Sequence, residues 1–184
     1  RRGQLYTYRI RPMSEAGGRE PRFALDLGFH MRLEVGTAEL PDPRAGVIVH
    51  SQRTRDQADF RPTRRRATSL FTYVARIDRV IDGDTLVATV DLGFHLRTTQ
   101  RLRLRGIDPP ELRSPAGERA REYVRHTLAD VDFVVLGTAR TDRYGRYLAD
   151  VFYLPGEADP HVVAADGVFL NRQLIEEGLA VRYR

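Results

Sequence analysis

The chain has 184 residues, 41% hydrophobic and 30% charged, a globular balance with room for one domain and an appendage. Its net charge is +5 and its pI about 9.9, which is compatible with an anionic partner and identifies none. No run approaches the roughly 18 apolar residues of a membrane span, and the absence of cysteine excludes disulfides and thiolate metal sites.

In chain order, residues 4–11 alternate like a strand, residues 12–21 form a loop, and residues 23–35 read as one further strand. The pentapeptide Asp26-Leu27-Gly28-Phe29-His30 recurs as Asp91-Leu92-Gly93-Phe94-His95, an offset of 65 (91 − 26), and Arg32 matches Arg97 at that offset. Tyr6-Thr7-Tyr8 echoes Phe71-Thr72-Tyr73. Two readings stand for residues 1–69: a degenerate partial copy of the barrel expected over residues 70–184, lacking the long helix, or a β-rich extension. Neither reading gives this part a catalytic motif. Residues 53–68 are polar and arginine-rich around Arg64-Arg65-Arg66 and read as a solvated linker, with contact to a nucleic-acid backbone as the rival reading.

From residue 70 a main domain runs to residue 184. Residues 71–81 and 85–92 are predicted strands joined by the tight turn Asp82-Gly83. Residues 98–107 alternate, with Leu102 and Leu104 facing one way and Arg101, Arg103 and Arg105 the other. Ser114-Pro115 opens a helix that runs to about residue 129. Residues 132–139 and 147–154 are strands, residues 155–167 a polar loop, and residues 168–177 a short helix closed by Gly178. Short strands around one long helix match no βαβ alternation. The expected fold is α+β, mainly β: a five-stranded OB-type Greek-key barrel with one long and one short helix.

Three stretches carry chemistry: Ile81-Asp82-Gly83-Asp84-Thr85, Arg101-Leu102-Arg103-Leu104-Arg105-Gly106-Ile107-Asp108-Pro109-Pro110-Glu111, and Arg140-Thr141-Asp142-Arg143-Tyr144-Gly145-Arg146. They supply carboxylates able to hold a hard cation, a further carboxylate beside them, and separated arginines. That inventory suits phosphodiester hydrolysis. Bland readings exist for each part. The three strand arginines make a solvated face, Asp108 a turn residue, and Asp142 a cap that holds Arg146. His30 and His95 read as core or edge-strand residues, His126 as exposed, and Tyr147, Phe152 and Tyr153 as barrel core and surface. Arg103 and Asp108 are five apart on one predicted strand, so alternation alone puts them on opposite faces, and a bulge or strand end must re-aim one of them.

The three motifs in this order resemble the staphylococcal nuclease (thermonuclease) family from about residue 71 onward. Leu170-Asn171 and Glu177-Gly178-Leu179-Ala180 extend the match. The resemblance implies a Ca²⁺-dependent nuclease acting on DNA and RNA, breaking the P–O5′ bond to leave 3′-phosphates. It implies metal ligation by Asp84, Asp108 and the Pro109 carbonyl, with Asp82 behind them. It makes Glu111 the general base and Arg103 and Arg146 the phosphate-binding arginines. Arg143, Tyr144 and Tyr183 fall where the family contacts the nucleotide. This sequence departs from the family pattern in a short loop after the glutamate, residues 112–117. The rival expectation is a catalytically inactive OB-type module that binds nucleic acid or protein. The sequence starts at Arg1 without an initiator methionine, so secreted and cytoplasmic locations both stay open, as does the oligomeric state.

Overall fold

The computed structural model describes residues 2–13, 22–40, 42–53, 58–63 and 70–183. The chain divides into two units, Gly3–Thr72 and Tyr73–Arg184, the latter with the first two residues.

The first unit is a five-stranded antiparallel sheet: β1 (Thr7–Pro12), β2 (Phe23–Gly28), β3 (Met31–Val35), β4 (Ile48–Arg53) and β5 (Ala58–Pro62), in the order β3-β2-β1-β4-β5. Period-two alternation buries Tyr8 and Ile10 from β1 and Leu25 and Leu27 from β2, and Val49 and Phe60 join them. The single strand predicted over residues 23–35 is a hairpin instead. Gly28, Phe29 and His30 have φ of 71°, 50° and 59°, and three consecutive left-handed residues end a strand. Asp26 Oδ1 accepts the Gly28 N–H at 3.1 Å and fixes the turn. His30 therefore lies in an exposed turn, not in a core or along an edge strand. Part of the predicted linker is strand β5. Arg64, Arg65 and Arg66 lie outside the described residues, as does most of the predicted loop at 12–21.

The second unit contains β6 (Thr72–Val80), β7 (Thr85–Asp91), β8 (Arg97–Leu104), β9 (Ile107–Asp108), α1 (Pro115–Thr127), β10 (Val134–Thr141), β11 (Tyr147–Tyr153), α2 (Pro160–Asp166), β12 (Val168–Phe169), α3 (Leu170–Glu176) and β13 (Val181–Arg182). Strands β10, β6, β7, β8 and β11 are hydrogen-bonded neighbours in that order, and β10 also pairs with β11, so five strands close into a barrel. Closure uses a parallel pairing of β8 with β11, in which Arg103 lies opposite Leu148. This is the expected OB-type barrel. Its interior is filled by Tyr73, Leu86, Val90, Leu102, Leu104, Leu136 and Val151, with Ala120 and Val124 of α1 also buried.

The turn from β7 to β8 repeats the first hairpin. Gly93, Phe94 and His95 have φ of 81°, 53° and 60°, Gly93 N–H donates to Asp91 Oδ1 at 2.9 Å, and His95 is again exposed in the turn rather than in a core. A third helix, α2, interrupts the predicted polar loop. Asp159 caps it by accepting the His161 N–H at 2.8 Å, and Pro160 takes the first helical position, where its missing N–H costs nothing. The long helix, the short terminal helix and the five barrel strands lie where the sequence places them, to within a few residues. Asn171 of α3 fastens the barrel's closing edge. Its amide donates to the carbonyls of Arg105 and Ala149 at 3.0 and 2.9 Å and accepts the Val151 N–H at 3.1 Å.

Candidate active site

The β6–β7 turn places the first carboxylates. Asp82 Oδ1 accepts the Asp84 N–H at 3.0 Å, which curls the turn and faces Asp84 inward. A methyl group on Gly83 would lie 2.9 Å from Ala120 Cβ and 3.0 Å from Pro109 Cβ. Only glycine lets this turn sit against both α1 and the Pro109 segment. Asp84 is only 3% exposed, and Thr85 Oγ1 donates to its Oδ1 at 2.8 Å.

Strand β8 brings the first arginine. Thr85 pairs with Arg103 across the β7–β8 ladder, and Leu104 N–H donates to the Asp84 carbonyl at 2.7 Å. Arg103 Nη2 reaches Asp84 Oδ2 at 2.9 Å and Asp108 Oδ1 at 3.1 Å. The re-aiming that alternation demanded is provided by a strand end. Strand β8 stops at Leu104, Gly106 adopts φ 75°, and β9 sets off in a new direction, held by Val181 of β13 opposite Asp108.

Glu111 is positioned through its backbone. Its carbonyl accepts from Ser114 N–H at 2.9 Å and Ser114 Oγ at 2.7 Å, while that same Oγ accepts the Gly117 N–H and caps α1. A Cβ on Gly117 would stand 2.1 Å from the Glu111 carbonyl oxygen. The first two turns of α1 thus support both loops of the site: Ala120 lies under Gly83, and Gly117 under Glu111. The Glu111 side chain is exposed.

The second arginine comes from the β10–β11 turn. Asp142 Oδ1 accepts the N–H groups of Tyr144 and Arg146 at 2.8 and 3.0 Å, and its Oδ2 accepts Arg146 Nε at 2.7 Å. Arg146 Nη1 then donates to Thr85 Oγ1 at 3.3 Å. A continuous polar chain results: Asp142, Arg146, Thr85, Asp84, Arg103, Asp108. Thr85 is its centre, and sequence reasoning passed over it as a strand residue. Its place beside Asp84 in a turn-to-strand motif was the available signal. Asp142 does hold Arg146, as its bland reading had it. Arg143 and Arg146 stack over the Tyr144 ring at 4.7 and 5.4 Å, and that ring is 67% exposed. Tyr183 is tied by its N–H to the Gly106 carbonyl at 3.0 Å, and its ring is exposed.

Electrostatics follow from this packing. Burial pushes Asp84 up to about 6 from an ordinary 3.8, and Asp82 adds to the shift against the opposing Thr85 hydrogen bond and Arg103 charge. Burial acts the same way on Asp142, but the Arg146 and Tyr144 amides and the Arg146 guanidinium outweigh it and hold its carboxyl below the usual value. A buried carboxylate with raised proton affinity is short of positive charge. Asp84 and Asp108 face each other across one guanidinium nitrogen and offer only hard oxygen donors, with the Pro109 carbonyl next in the chain. That donor set fits a hard divalent cation. Among the described residues no three His, Cys, Asp or Glu groups cluster, so carbonyl, water and substrate oxygens must complete such a shell.

An OB-type closed barrel with carboxylates and arginines gathered at one end of its β7–β8 ladder defines the class. Residues 101–184 match the family described as Staphylococcal nuclease homologue. The chain is 36% identical over 115 residues to micrococcal nuclease of Shigella flexneri, covering 61% of this chain and 59% of that protein. It is 35% identical over 112 residues to Protein ParB of Escherichia coli, covering 58% and 55%. It is 34% identical over 83 residues to the probable staphylococcal-like nuclease CAN1 of Oryza sativa subsp. japonica, covering 45% and 21%. The chain thus spans less than two thirds of each of these relatives. The second unit is similar to the staphylococcal nuclease family, and the matched residues 101–184 lie wholly within it. No helix among the described residues is long and apolar enough to cross a membrane.

Proposed function

We propose that the second unit hydrolyses phosphodiester bonds of DNA and RNA with the help of Ca²⁺. The observation that carries this reading is the convergence of Arg103 and Arg146 on Asp84, one directly and one through Thr85. Asp84, Asp108 and the Pro109 carbonyl would hold Ca²⁺, which supplies Lewis-acid polarisation of a phosphoryl oxygen. Asp82 fixes the turn that carries Asp84. Glu111 accepts a proton from a water whose oxygen attacks phosphorus, and the P–O5′ bond breaks. The departing 5′ oxygen takes up a proton, and the 3′-phosphate stays with the other fragment. Arg103 and Arg146 donate to the non-bridging oxygens as charge builds there, and they turn to the phosphate from anchored positions. Arg143, Tyr144 and Tyr183 contact the nucleotide: two exposed rings offer stacking surfaces and Arg143 a further cation. Contacts of this kind address phosphate and base faces, so little sequence preference is expected. The test is cleavage of labelled single-stranded DNA and RNA with added Ca²⁺, against the same protein in chelator. Ca²⁺-dependent cleavage leaving 3′-phosphates supports the reading. Salt-sensitive binding without cleavage would replace it with that of a binding module.

We also infer that residues 1–69 are a reduced copy of the barrel. Supporting this are the shared strand order and the left-handed residues Tyr6, Gly28, Phe29 and His30, which recur 65 positions later as Phe71, Gly93, Phe94 and His95. At that offset Ala38 and Pro43 stand for Arg103 and Asp108, so this copy carries no phosphate chemistry.

A further inference from the structure

One row of side chains on the barrel wall lies outside the polar chain of the site. Arg79 of β6 pairs with Val87 of β7, and Val87 pairs with Arg101 of β8. Cross-strand partners share a face. Leu86, Ala88 and Leu102 alternate with these residues and are buried in the barrel, so Arg79, Val87 and Arg101 face outward. The row borders the one formed by Thr85 and Arg103. Arg101 and Arg103 stand two residues apart on the same face, about 6.6 Å along the strand.

Among the described residues no ion pair balances the charge of this row. Arg79 and Arg101 are both exposed, and neither forms an ion pair among the described residues. The next row out is different: Asp78 accepts from Thr89 at 2.7 Å and pairs with Arg76 at 3.6 Å, and Thr89 meets Thr99 at 3.2 Å. Two uncommitted guanidiniums therefore flank a half-buried valine one step from Arg103. Each guanidinium suits a phosphate bidentately, and two of them fit a ligand with repeated phosphates better than a mononucleotide.

We propose that Arg79 and Arg101 form a phosphate-binding subsite that holds the single-stranded polynucleotide substrate beyond the bond being cut. The subsite rests on the phosphodiesterase reading for its place in a reaction, but its binding is testable without cleavage. The probe is a labelled oligothymidylate about twelve nucleotides long, within the range one OB fold covers, titrated in chelator over a series of salt concentrations. The full chain is compared with its Arg79→Ala/Arg101→Ala variant. Removing two phosphate contacts on a single strand should lessen the slope of log K against log salt by about 1.4 and weaken binding about tenfold at moderate salt. With Ca²⁺ present, KM for the oligonucleotide should rise while cleavage of a dinucleotide stays unchanged. A control variant, Arg125→Ala/Arg172→Ala, removes two exposed arginines paired elsewhere and should leave the slope unaltered. The proposal is overturned if the parent does not bind the oligonucleotide, if the Arg79/Arg101 variant keeps the parental slope, or if the control loses as much. A parent that binds with the predicted slope change yet cleaves nothing removes the phosphodiesterase reading and keeps the subsite.

Discussion

The two units order five strands alike and part company where the sheet closes. In the first, β3 spans five residues, Met31–Val35, which the offset of 65 places at positions 96–100 (31 + 65 to 35 + 65). In the second, β8 runs eight residues, Arg97–Leu104, past that point. The added residues include Leu102, Arg103 and Leu104, which pair with Tyr147, Leu148 and Ala149 of β11 and close the barrel. Arg103 therefore stands on a stretch of strand that the open sheet lacks. Closure and the arginine proposed to bind phosphate share residues, so a sheet that stops short loses both. Strand order and hairpin turns belong to the fold. The proposed chemistry belongs to the closing edge and to the loops that rest on α1.

Substitutions sharpen this contrast in descending order of effect. Arg103→Ala should lower kcat by about 10²–10³, the loss typical of one transition-state donor, measured by steady-state cleavage. Asn171→Ala leaves the buried Val151 N–H and Ala149 carbonyl at the closing edge without their side-chain partner. It should cost about 3 kcal/mol by denaturant unfolding. Gly28→Ala and Gly93→Ala should each cost about 1–2 kcal/mol, because both force a side chain into a left-handed turn. A silent Gly28→Ala would break the parallel between the hairpins. The last effect is a pH dependence. Asp84 titrates near 6 in the folded chain against 3.8 ordinarily, so between those values the folded state holds more proton than the unfolded one. Its contribution to stability is greatest at low pH and declines as pH rises through about 6. Asp84→Asn should remove that decline in melting temperature measured in chelator.

Much of this was legible in the sequence, for identifiable reasons. Barrel strands announce themselves by alternation, and α1 by Ser114-Pro115. The carboxylates and arginines stand in dense motifs. The hairpin at Gly28 was missed because the residues on either side of it have equal strand propensity, and Asp26 two positions earlier was the quieter sign. Helix α2 was missed although Asp159-Pro160 is a cap and first-turn pair. The meeting of Arg103 with Asp108 depends on a left-handed Gly106, and the bridge through Thr85 depends on two strands and a distant turn. Spacing along one strand encodes neither. Glu111 is the reverse case: the motif names it, while the fold fixes only its backbone, through Ser114 and Gly117.

The most direct test is therefore Glu111→Gln, assayed for cleavage of single-stranded DNA with Ca²⁺ beside a thermal melt. The backbone contacts that hold this loop do not involve the side chain, so the melting temperature should be unchanged. The rate should fall by about 10²–10⁴, as expected for loss of a general base. A near-parental rate with an unchanged melt would take Glu111 out of the reaction and contradict water activation at this site.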